Sequence, residues 1–140
     1  MAQACTLAME SRYQSIEMGS ENIERMKRDG AGRFIPFSLF LTDCSVVTDK
    51  YSSRPWTYLQ VTFDGAGDDG LFKVKGSTDG VALVITDRHG NTADPGKWMP
   101  YVRIDNQNIR LDYTLQLRTT HQEIHVGEYS SIIKFRVSYF

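Results

Sequence analysis

"IRLDYTLQL", residues 109–117, alternates without a break: Ile109, Leu111, Tyr113, Leu115 and Leu117 are apolar, and Arg110, Asp112, Thr114 and Gln116 separate them. Successive side chains of a strand point to opposite faces, so this period of two predicts a long strand with one face in a core. A helix would spread the same residues over both of its sides. The pattern recurs in "TYLQVTF", with Leu59, Val61 and Phe63 on one face. It recurs again in the closing stretch "GEYSSIIKFRVSYF", where Ile133, Phe135, Val137 and Tyr139 alternate with Lys134, Arg136 and Ser138. The expectation there is a well-patterned strand with no later strand to pair with it.

Shorter apolar runs fill in the rest. "RFIPFSLFL" is apolar on both faces, and Pro36 predicts a bulge or an edge position. "LFKVKG" and "GVALVITD" are bounded by glycines, and "ACTLAM" with "YQSIEM" read as two pieces of one interrupted strand. Between them, "DGAGDDG", "GSTDG", "DRHGN" and "ADPG" supply the Gly, Asn and Asp that turns require. Short strands at this spacing predict an antiparallel sandwich or barrel. One segment departs from the pattern. "SENIERMKRDG" has Glu21 and Glu24 early, Lys27 and Arg28 late, and Gly30 beyond, the charge order that complements a helix dipole. A short surface helix is expected there, with Ile23 and Met26 as its apolar face.

Length and charge narrow the class. At 140 residues the chain is one domain with room for a real core. Sixteen basic residues against 17 acidic ones leave no basic footprint for nucleic acid. No apolar run is long enough to span a membrane, and Met1 to Ala4 is too short for a signal peptide. Cys5 and Cys44 are compatible with one disulfide in an oxidising compartment or with two buried thiols.

Candidate chemistry is sparse. "HQEIH" puts His121 and His125 four apart, but Gln122 stands where the zinc-protease pattern needs Glu, and the segment lies between strands. "DGAGDDG" gathers Asp64, Asp68 and Asp69 without the alternating acidic ligands and terminal Glu of a calcium loop. No serine sits in a nucleophile elbow. Tyr51, Trp56, Tyr58, Trp98 and Tyr101 are able to line a sugar-binding face, although such residues more often fill a sandwich core or its rim. No catalytic residue, metal or cofactor is expected, and the chain reads as a non-enzyme.

From Cys5 to Phe140 the order of pieces resembles the pilin subunits of chaperone–usher fimbriae. "CTL" is followed by "IEMG", then "FSLFLTDC", "VTFDG", "GVALVITDRHGN" and "LDYTLQL"; the ending has Gly127 fourteenth from the end and Tyr139 penultimate. "ACTLAME", "MG", "GKWMP", "LDYTL" and "FRVSY" are similar to the subunit class that terminates and anchors the rod of P-type pili. An ordinary repeating or linking subunit is the alternative, and a carbohydrate-binding adhesin module a more distant one.

The resemblance implies an all-β, incomplete immunoglobulin-like sandwich that lacks its final strand and carries one short surface helix. A periplasmic chaperone fills the open groove with one of its own strands. The N-terminal extension of a neighbouring subunit later replaces that strand, at an outer-membrane usher. Chaperone–pilin donor-strand complementation is itself a standing example of strand addition, so this mechanism arrives with the family. It implies a Cys5–Cys44 disulfide, a groove lined by Ile16, Met18, Ile133, Phe135, Val137 and Tyr139, and Gly127 with Tyr139 as the family signature. It also implies residence in the periplasm, then in a fimbrium at the cell surface. Residues 5–140 are expected to be the pilin domain. Family members carry a donor segment before the first cysteine; residues 1–4 are expected to be the tail left by its truncation.

Overall fold

The alternating run at 109–117 forms the middle of the larger sheet in the computed structural model, whose described residues are 5–7, 23–44, 58–65, 67–68, 71–76, 80–120, 129–130 and 134–139. In chain order the strands are β1 (Thr6–Leu7), β2 (Ile35–Thr42), β3 (Tyr58–Asp64), β4 (Gly67–Asp68), β5 (Leu71–Lys73), β6 (Lys75–Gly76), β7 (Val81–Asp87), β8 (Val102–Arg103), β9 (Ile109–Thr119), β10 (Tyr129–Ser130) and β11 (Lys134–Tyr139). One helix among the described residues, α1 (Ile23–Asp29), lies between β1 and β2.

Two antiparallel layers face each other. The larger runs β1-β2-β9-β7-β5-β4 and the smaller β11-β3-β8, while β10 and β6 form a separate pair. Leu59, Val61 and Phe63 from β3 share one buried cluster with Leu39 and Leu41 from β2, Leu83 and Ile85 from β7, and Leu111, Leu115 and Leu117 from β9. Burial along β9 alternates as its sequence does, because each odd residue points between the sheets. Val74 separates β5 from β6 and marks where the chain leaves the large sheet to pair with β10, just ahead of β11. Pro36 makes no bulge. It sits across from Thr114 in an unbroken register that runs from Ile35↔Leu115 to Leu41↔Ile109. Among the described residues only the β9 side is occupied there, since the described part of β1 reaches Leu41 and Thr42.

The helix forms where its charges predict it, with Glu24 in the first turn and Lys27 and Arg28 in the last. Its hold on the fold comes from Met26, which is wholly buried in the core. The exposed Arg25–Asp29 and Arg28–Asp29 pairs add little. Gly30 ends it at φ +75°, donating its N–H to the Met26 carbonyl at 2.7 Å. In "DRHGN" the Asp87 carboxylate accepts the backbone N–H groups of His89 and Asn91, both at 2.9 Å, and Gly90 supplies the positive φ.

Burial, with the Asp87 carboxylate nearby, pushes the Tyr113 phenol above the ordinary tyrosine range. A raised value in the folded state favours the neutral form. Its contribution is therefore fully present below about pH 10, where the unfolded chain starts to ionise. It is lost as pH rises towards the higher folded value. Stability should fall above about pH 10 by up to ~1.4 kcal/mol per pH unit for this residue. Urea midpoints for the wild type and Tyr113→Phe check this: only the wild type should show the tyrosine-dependent part of the slope.

Candidate functional site

The closing strand β11 is paired along its whole length on one side. Lys134↔Asp64, Phe135↔Phe63, Arg136↔Thr62, Val137↔Val61, Ser138↔Gln60 and Tyr139↔Leu59 are in register with β3. On the other side no described strand accompanies it, and β11 is the end member of its sheet. Residues directly opposite in an antiparallel pair share a face, so Phe135, Val137 and Tyr139 point inward with Phe63, Val61 and Leu59.

Cover differs sharply between these two rows. Phe63, Val61 and Leu59 are 1%, 2% and 0% exposed. Their partners Phe135, Val137 and Tyr139 pack against the same core but are only partly buried. Since composition and face are alike, the difference follows position: among the described strands β3 has neighbours on both sides, and β11 has one.

The opposite wall comes from the larger sheet. Ile35 and Phe37 of β2 face the core and are likewise only partly buried. Phe37 stacks on Tyr113 at 5.3 Å and meets Phe63 edge-on at 6.1 Å. Phe63 in turn lies 5.0 Å from Tyr113 and 6.5 Å from Phe135. An aromatic bridge therefore crosses from one sheet to the other beside the edge that no described strand covers, with Phe37 and Phe135 as its less buried members. "RFIPFSLFL", apolar on both faces, marked Ile35 and Phe37 as strand residues but gave no reason to place them beside β11.

At the far end of β11 the gap closes. The Tyr139 hydroxyl donates to the Cys5 carbonyl at 3.3 Å, joining the edge strand of the small sheet to the segment that leads into β1, the edge of the large one. Burial pushes the Tyr139 phenol above its ordinary value. Cys5 is itself fixed by a disulfide to Cys44, 39 residues away. Cys44 is brought there by Asp43, which takes the left-handed φ of 53° just after β2, and by a 2.8 Å bond from the Cys44 N–H to the Gln107 carbonyl. Ile16, Met18, Gly127 and Ile133 lie outside the described residues, as do His121 and His125.

The other candidate features do not gather into a site among the described residues. Among the described residues no three His, Cys, Asp or Glu side chains are grouped to hold a metal, and no helix is long and apolar enough to cross a membrane. Asp64 is bonded to Arg136. A cavity of about 500 Å³ lies between the β7 turn, β8 and the start of β9. Two of its acidic groups, Asp112 and Asp87, are already engaged. The Ser38 hydroxyl at 2.6 Å and the Arg110 guanidinium at 2.7 Å hold the Asp112 carboxyl below its usual range, and Asp87 is bound to its own turn. Tyr58 and Tyr101 are exposed and contact each other edge to face, and Trp98 lies under the Arg136 guanidinium. Tyr51 and Trp56 are outside the described residues.

No family model matches the chain. Individual proteins do. It is 33% identical to the PRS fimbrial minor pilin protein of Escherichia coli over 138 residues, covering 97% of this chain and 71% of that protein. The PAP fimbrial minor pilin protein of Escherichia coli matches with the same identity and coverage. Among solved structures, the P pilus rod subunit PapA superposes with a TM-score of 0.84 at 18% identity, over 99% of this chain and 100% of that one. A chain of a chaperone–usher pilus gives 0.85 at 18% identity, over 100% of this chain and 90% of that one. The structural likeness establishes the immunoglobulin-like pilin fold, and the sequence identity over nearly the whole chain carries the kinship: the chain belongs to the pilin family of chaperone–usher fimbriae.

Proposed function

We propose that the side of β11 that no described strand accompanies is an acceptor groove for a strand from another chain, through which this protein is built into a pilus as a structural subunit. The observation that carries the reading is the contrast in cover between β3 and β11, two adjacent strands presenting apolar residues to one core. A strand added beside β11 would satisfy its edge N–H and C=O groups. It would also cover Phe135, Val137 and Tyr139 from one side and Ile35 and Phe37 from the other. Left open, such an edge is an aggregation hazard, and a chain that carries one needs an occupant. Ile16, Met18 and Ile133 belong to the same groove by this reading, with residues 5–140 as the pilin domain.

The occupants follow from the family. A periplasmic chaperone lends the first strand, the outer-membrane usher receives the complex, and the extension of a neighbouring subunit takes the strand's place at the cell surface. In the sharper form of the proposal, this subunit retains the chaperone strand and resists exchange, which ends rod growth and holds the pilus at the outer membrane. The support is that relatives at 33% identity are minor pilins, whereas the rod subunit shares the fold at 18%.

The test is incubation of the chaperone complex of this chain with labelled peptides copying subunit N-terminal extensions. Retention of the chaperone over a time in which a rod subunit exchanges fully is expected. Ready exchange would remove termination and leave an ordinary repeating or linking subunit. Failure to form any chaperone complex would remove the acceptor groove itself.

A further inference from the structure

Besides its ladder bonds to β3 and its inward apolar residues, β11 carries a further set of contacts on its outer face. Arg136 lies directly across from Thr62, and Thr62 in turn bridges to Trp98 on the other side of β3. The three side chains therefore stand in one row on the outward face, Arg136 and Trp98 two strand spacings apart, or about 10 Å. Yet the Arg136 guanidinium sits over the Trp98 ring, 5.4 Å from its centroid. The two side chains can meet only by reaching over Thr62 from either side. That accounts for an otherwise odd burial: Thr62 faces outward and is 0% exposed. Its hydroxyl is buried, with no hydrogen-bond partner among the described residues. Arg136 also donates to both carboxylate oxygens of Asp64, at 2.7 and 3.3 Å. One side chain of the edge strand thus grips β3 and the segment beyond it.

We propose that Arg136, through Trp98 and Asp64, is a clasp that holds β11 in register against β3 while no described strand lies along its other edge, and so acts as a positioning residue for strand acceptance. This rests on the acceptor reading of β11. The groove has a fixed wall only if the strand that forms the wall cannot peel away. A clasp on the outer face leaves the inner, receiving face clear. It also explains why the unpartnered Thr62 hydroxyl is tolerated: the groups that seal it from water hold the edge.

The experiment measures amide hydrogen exchange across β11 and β9 in the disulfide-intact chain for the wild type, Arg136→Ala and Arg136→Lys. Uptake of a synthetic peptide that alternates valine and threonine is followed in parallel. Arg136→Ala should speed exchange at β11 roughly tenfold, the combined scale of one cation–π contact and one exposed ion pair, and leave β9 unchanged. Peptide uptake should weaken by a similar factor, with Arg136→Lys intermediate. Unchanged β11 exchange in Arg136→Ala would overturn the clasp. Thr62→Val supplies a second measurement that does not depend on peptide. It should raise the urea midpoint of the wild type, where the hydroxyl is sealed, and do nothing in Arg136→Ala, where water reaches it. An equal gain in both backgrounds would mean that Arg136 does not cover Thr62. If the wild type takes up no peptide, the acceptor reading fails while exchange and the Thr62 cycle still judge the clasp.

Discussion

Phe135→Asp and Val137→Asp are each expected to abolish binding of a chaperone strand beside β11, while the Cys5–Cys44 disulfide still forms. Both side chains point inward from an edge strand and are only partly buried, so a carboxylate there stays hydrated in the unoccupied chain. The incoming strand is what would strip that water away. Burying an unpaired carboxylate costs about 3–5 kcal/mol. That alone lowers affinity by more than about a hundredfold, before the lost apolar contact is added. The same substitution at Phe63, which is 1% exposed and central to the aromatic bridge, would damage the fold with or without a partner. The measurement is co-purification with the chaperone alongside a thiol titration of the released chain. Normal binding by both variants would mean that this strand does not line the groove.

The second large effect is expected from the double replacement Cys5→Ala, Cys44→Ala. The bond closes a loop of 39 residues, which in the chain-entropy account stabilises the fold by about 4 kcal/mol. Against a typical domain stability of about 5–15 kcal/mol, that is a large share. The loss should also act locally. Cys5 presents the carbonyl that accepts the Tyr139 hydroxyl, so releasing Cys5 frees both edge strands at the closed end of the gap. Urea denaturation of the oxidised wild type and the variant provides the check. A difference below about 1 kcal/mol would show that the sheets hold this corner without the bond.

Much of the fold was legible because its signals are local. The alternation in 109–117 and 58–63 becomes β9 and β3 with the expected residues inward, since the period of two is a property of the strand itself. The helix from Ile23 to Asp29 follows from its charge order, and Gly30 ends it as a glycine at that place should. Pro36 shows the limit. Its chemistry forbids a ladder N–H, but whether that produces a bulge depends on which flank of β2 has a neighbour at that point.

Phe135, Val137 and Tyr139 were readable as an inward row, while Ile35 and Phe37 were not readable as the facing wall. Thr62 and Arg136 looked like ordinary outward residues of two strands. Their roles depend on the register that sets Arg136, Thr62 and Trp98 in one row.

The sequence by itself determined the longer strands β3, β7, β9 and β11, the side chains that β3, β9 and β11 turn inward, and, by resemblance, the family. Those follow from backbone period and the order of motifs along the chain. The strand expected in "ACTLAM" and "YQSIEM" lies mostly outside the described residues. Only the tertiary structure decided which strand edge lacks a described neighbour, how Tyr139 meets Cys5, and what buries Thr62. Each of these depends on pairing between residues far apart in sequence, where one step of register exchanges the two faces of a strand.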